Sequence, residues 1–91
     1  MLVGRRFVIQ GRVQGVGFRY FAQASAVREG VTGTVRNLDD GRVEVTAEGD
    51  AEAIARFERS LRQGPIGARV EDVSVDREPP SGGFPDFRIL P

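Results

Sequence analysis

The segment Gln14-Gly15-Val16-Gly17-Phe18-Arg19 sets two glycines and an arginine between an apolar run, Phe7-Val8-Ile9, and a stretch with helical spacing. A glycine bend leading into a helix start aims several backbone N–H groups, and the positive end of the helix dipole, at one point. Such a point suits an anion. An arginine in the first helical turn can hold two phosphate oxygens with its planar fork, a geometry lysine does not match. Asn37 is the only asparagine of the chain. Its amide can accept a hydrogen from a water while donating to another group, and so could orient a nucleophile. Each residue also has a plainer use. Gly15 and Gly17 serve any tight turn, Arg19 is one of thirteen arginines, and an asparagine beside a turn often bonds its own backbone.

Several chemistries are excluded by composition. With no cysteine there is no thiolate or disulfide, and with no histidine the commonest general base and metal ligand is missing. The glycine bend is not a Walker loop, because no Gly-Lys-Ser/Thr follows. Nor is it a dinucleotide fingerprint, because position 20 is tyrosine. Asp39, Asp40 and Glu44 lie near the candidate residues in sequence and read as turn and surface groups, with no spaced partner to complete a metal set. No metal and no cofactor are expected. Thirteen acidic residues balance the thirteen arginines, which argues against a nonspecific field for nucleic acid or anionic membrane. The longest apolar runs fall far short of the roughly 20 residues that a membrane helix needs. Met1 to Arg6 lacks the ordered regions of a secretory signal, so the expected location is the cytoplasm.

The elements that must position these residues can be traced along the chain. Phe7 to Val13 reads as a strand ending in the glycine bend. A helix from Phe18 to Glu29 follows, with Tyr20, Phe21, Ala24 and Val27 as its apolar stripe and Gly30 as its C-terminal cap. Val31, Gly33, Val35 and Asn37 share one parity of an extended segment, and Val43, Val45 and Ala47 share one parity of the next. The two are joined through Asp39-Asp40-Gly41 as a hairpin. Asp50 can cap a second helix with Ile54, Phe57 and Leu61 inward, stopped at Gly64-Pro65. Val70, Val73 and Val75 mark a further strand. Glu78 to Pro85 is a loop, and Phe87 and Ile89 form a short closing strand. The chain is long enough for one domain, residues 1–91. The order βαββαβ predicts an α+β, ferredoxin-like sandwich: an antiparallel sheet with two helices on one face.

Taken together, Gly11-Arg12-Val13-Gln14-Gly15-Val16-Gly17-Phe18-Arg19 and Gly33-Thr34-Val35-Arg36-Asn37-Leu38-Asp39-Asp40-Gly41-Arg42-Val43-Glu44 resemble the two signature segments of the acylphosphatase family. The resemblance extends to Gly49, to Gly64-Pro65 with Ala68 and Val70, and to Phe87-Arg88-Ile89, and so covers nearly the whole chain. It implies metal-independent hydrolysis of carboxyl-phosphate anhydrides, acyl phosphate and water giving carboxylate and phosphate. It also implies that the loop Gln14, Gly15, Val16, Gly17 and Phe18 binds the phosphoryl group through N–H donors, that Arg19 clamps its oxygens, and that Asn37 positions the water. The working unit implied is a monomer acting on a small molecule.

So few residues can suffice because the leaving group is a carboxylate, stable as an anion near neutral pH with a conjugate-acid pKa of about 4. No general acid is needed. Phosphoryl transfer depends mainly on positioning and on stabilising the equatorial oxygens. Two other readings are weighed. One is a noncatalytic anion-binding module, like the acylphosphatase-like domain at the front of carbamoyltransferase-type hydrogenase maturation proteins. The other is an RNA-binding domain on the same βαββαβ order. It fails on the candidate strand Arg42 to Glu48, whose outward Arg42, Glu44, Thr46 and Glu48 include no aromatic on which a base could stack.

Overall fold

In the computed structural model, which describes residues 1–91, the chain forms seven elements. They are β1 (Leu2–Arg12), α1 (Phe18–Glu29), β2 (Thr32–Asn37), β3 (Val43–Asp50), α2 (Ala51–Gln63), β4 (Arg69–Glu78) and β5 (Phe87–Ile89). The sheet order is β4-β1-β3-β2-β5. β1 starts well before the expected Phe7, because Leu2 to Arg6 pair with Asp50 to Thr46 of β3, and Gly4 to Arg6 also pair with β4. Ladder bonds hold that segment extended, on one side at Leu2 and Val3 and on both sides from Gly4 onward.

β1 pairs antiparallel with β3 and β4, and β2 pairs antiparallel with β3. The expected antiparallel sheet carries one further strand at its edge, where β5 runs parallel to β2. The cause is the connection: β4 ends at one edge and β5 lies at the other, so residues 79–86 must cross the sheet. A register shift between Gln10 and Gly11 leaves Glu71 without a partner on β1. That extra residue flips the side-chain parity of β4, so Val70 and Val73, an odd number of residues apart, both pack on the core.

The core has one cluster between the sheet and the helices. Phe7 and Ile9 of β1, Val43, Val45 and Ala47 of β3, and Val35 of β2 are fully buried. The Phe57 ring of α2 packs edge to face with Phe7 and Phe87, the ring centroids 6.2 Å and 5.8 Å apart. Truncating such a ring to alanine costs about 3–5 kcal/mol. α2 buries Ile54, Phe57 and Leu61, as its sequence predicts, and Ala53 beside them. It starts at Asp50, whose carboxylate accepts from the Glu52 N–H at 3.2 Å, and ends at Gly64.

α1 has the expected bounds but not the expected face. Its buried residues are Phe18, Ala22, Ser25 and Ala26, whereas Tyr20, Ala24 and Val27 face solvent. Both stripes have helical spacing. The helix takes the phase that buries the Phe18 ring, and the small residues in line with it let the helix approach its neighbours closely.

Candidate active site

The site is built where β1 hands over to α1. Gly15 (φ 75°) and Gly17 (φ 76°) both take the left-handed conformation, which a β-carbon disfavours by roughly 1–2 kcal/mol per residue. Gly17 is the N-cap of α1, and because it has no side chain nothing caps the helix. The first helical bond is from Phe21 N–H to the Gly17 carbonyl, 3.0 Å. No backbone N–H from Gln14 to Tyr20 donates to another group of the protein. The first turn carries no acidic residue, so nothing of the chain's own neutralises this end of the helix dipole.

Beside these donors lies a pocket of about 100 Å³ lined by Val13, Gly15, Gly17, Phe18, Arg19, Tyr20 and Asn37. One water occupies roughly 30 Å³ of liquid, so the space admits a tetrahedral phosphoryl group but not a large organic substituent with it. Arg19, half-buried, reaches across to the C-terminal segment, where its Nη1 donates to the Leu90 carbonyl at 3.1 Å. Leu90 is itself held by its N–H on the Val35 carbonyl, 2.8 Å. No carboxylate pairs with Arg19, unlike Arg6, Arg36 or Arg56. Its charge and its other N–H donors therefore remain available to an anion.

Asn37 is the last residue of β2, opposite Val43, and its amide makes no hydrogen bond within the chain. It does not bond its own turn. The spacing between loop and hairpin is set instead by Gln14, whose Nε2 donates to the carbonyls of Leu38 at 2.8 Å and Arg42 at 3.0 Å. The structure thus brings Gly15, Gly17, Phe18, Arg19 and Asn37 to one pocket. The Gln14 side chain is committed to the hairpin, and Val16 packs against the core. Only the backbone of these two residues is left for a ligand.

The nearby acids do other work. Asp40 accepts from the Arg42 N–H at 3.1 Å and Nε at 2.8 Å, and the backbone bond in particular holds its carboxyl below the usual range. Glu44 lies on the sheet face away from the helices. Burial there acts to raise its pKa, but the guanidiniums of Arg36 and Arg6 outweigh it and the net shift is downward. Neither Asp39, Asp40 nor Glu44 lines the pocket, and no three acidic side chains converge on a common cation position. Two site features escaped sequence reading. Tyr20 lines the pocket instead of the core, which the phase set by Phe18 could have signalled. The Leu90 carbonyl left no local signal at all.

Comparison with known proteins identifies relatives of the whole chain. The acylphosphatase family model matches residues 5–89. An acylphosphatase of Pyrobaculum islandicum is 54% identical over 84 residues, covering 91% of this chain and 88% of the relative. Another, from Bacillus pumilus, is 44% identical over 82 residues, covering 90% and 91%. The crystal structure of acylphosphatase from Bacillus subtilis superposes with a TM-score of 0.93 at 42% identity over 99% of each chain. The ferredoxin-like α+β sandwich and the two signature segments thus have one explanation: the chain belongs to the acylphosphatase family.

Proposed function

We propose that this hydrolase binds the phosphoryl group of an acyl phosphate on the N–H groups of Gln14, Gly15, Val16, Gly17 and Phe18, with Arg19 as clamp and Asn37 as the residue that orients water. The observation that carries the reading is the convergence of Arg19, Asn37 and unpartnered N–H donors on one phosphoryl-sized pocket. Water held by Asn37 attacks phosphorus from the side opposite the acyl oxygen. A P–O bond forms to the water, the P–O bond to the acyl group breaks, and the carboxylate leaves with the bonding pair. The attacking water gives its proton to solvent. Arg19 and the loop amides stabilise the charge that spreads over the equatorial oxygens.

No metal or cofactor enters this scheme. A single copy is proposed as the working unit, and the cytoplasm as its location. The test is release of phosphate from acetyl phosphate in EDTA by the wild type, Arg19→Ala and Asn37→Ala. Each variant is expected to lose about 10²–10³ in kcat, the cost of removing one transition-state donor, with its circular dichroism intact. A folded Asn37→Ala protein with near wild-type turnover would remove the water-orienting role. Loss of wild-type activity on chelation would overturn the metal-free scheme.

A further inference from the structure

The phosphoryl pocket leaves open what receives the rest of the substrate. With about 100 Å³ available, the acyl group has to project through the mouth and lie on the rim. Gly15 and Gly17 contribute no side chain there. Val13 is 1% exposed and Phe18 is 2% exposed, so their side chains belong to the core. Arg19 and Asn37 are polar and assigned to the reacting phosphate and water. Tyr20 remains: it lines the pocket, is 69% exposed, and donates no hydrogen bond that would tie its ring elsewhere. Side chains on a helix tilt toward its N-terminus, which for Tyr20 is the end where the pocket lies.

We propose that the Tyr20 ring is the wall against which the acyl part of the substrate packs, so that this residue sets selectivity for flat apolar acyl groups over small or polar ones. The inference rests on the functional reading above and adds the acyl side of the same site. Its basis is that Tyr20 offers the only solvent-accessible apolar side chain among the lining residues. A planar acyl group can stack on it or meet it edge to face, and a methyl group cannot cover the same area. The phenol ring also loses little rotational freedom on contact, having only two side-chain torsions.

The experiment compares kcat/KM for benzoyl phosphate and acetyl phosphate in wild type, Tyr20→Ala and Tyr20→Phe. Tyr20 is exposed and outside the core, so both variants are expected to fold, and matching circular dichroism checks this. The benzoyl-to-acetyl ratio is expected to fall about fivefold in Tyr20→Ala, the size of one aromatic contact, and to stay at the wild-type value in Tyr20→Phe. A ratio unchanged within twofold in Tyr20→Ala, with both substrates still hydrolysed by the wild type, overturns the Tyr20 wall and leaves the phosphoryl site standing. Failure of the wild type to hydrolyse either substrate overturns both.

Discussion

Removing the Glu48 carboxylate should release the loop that joins β4 to β5. Glu48 sits on β3 between Gly4 of β1 and Thr32 of β2, 6% exposed, on the face of the sheet away from the helices. Its carboxylate accepts from the Ser81 N–H at 2.7 Å, the Ser81 hydroxyl at 2.8 Å and the Gly82 N–H at 2.9 Å. These bonds hold the loop that crosses from β4 to β5. Hydrogen bonds to a charged group contribute about 1.5–3 kcal/mol each. The three share one carboxylate, and Ser81 and Gly82 are exposed enough to recover water when the bonds are lost, so the sum must be discounted. Glu48→Ala is therefore expected to cost about 2–3 kcal/mol in urea unfolding, or about 8–20 °C in Tm for a domain of this size. Acid supplies a second readout. The Ser81 N–H above all, opposed by burial and helped by the Ser81 hydroxyl and Gly82, lowers the Glu48 pKa below its ordinary 4.5. A carboxylate with a depressed folded pKa contributes stability that is present above the unfolded value and lost as pH falls through the folded one. The gap between wild type and Glu48→Ala should thus be full at pH 7 and shrink below about pH 4.5. A difference under about 0.5 kcal/mol at pH 7, or one that does not narrow in acid, would refute the reasoning.

Two further substitutions probe how the site is held. Gln14→Leu removes both bonds to the hairpin carbonyls. It should lower stability by about 1–2 kcal/mol and kcat/KM by about tenfold, because Asn37 is then less well placed relative to Arg19; unaltered kinetics would show that Gln14 does not set that spacing. Gly33→Ala would put a β-carbon 1.8 Å from the Thr46 carbonyl oxygen, at φ 143°. A loss of at least about 3 kcal/mol and a poor yield of folded protein are expected; a Tm within a few degrees of wild type would mean that β2 and β3 can separate more easily than their pairing implies.

What could be read from the chain alone follows local rules. α2 was legible from end to end because Asp50 caps it, Gly64 stops it, and Ile54, Phe57 and Leu61 repeat at helical spacing. Two glycines before a helix start serve any tight turn, so the site loop was legible through its whole string, which with Asn37 on the second segment resembles a known family. The outward parity of Glu44, Thr46 and Glu48 was also read correctly. That Glu48 is nevertheless buried was not, since its cover comes from Ser81 and Gly82, more than thirty residues away. The inward face of α1 was ambiguous because two stripes fit the helical period, and packing against the rest of the core chose the one aligned with Phe18. The partner of Arg19, the Leu90 carbonyl, lies 71 residues along the chain. Sequence by itself determined the order of the elements, the caps of α2 and the chemistry the site residues can offer, because those depend on neighbours in the chain; the early start of β1 came from its pairing with β3 and β4. Tertiary structure alone decided which helix face is buried, that β5 runs parallel to β2, and what anchors Arg19. Each of these depends on contacts between distant segments, which exist only once the crossing loop has carried the chain to the far edge of the sheet.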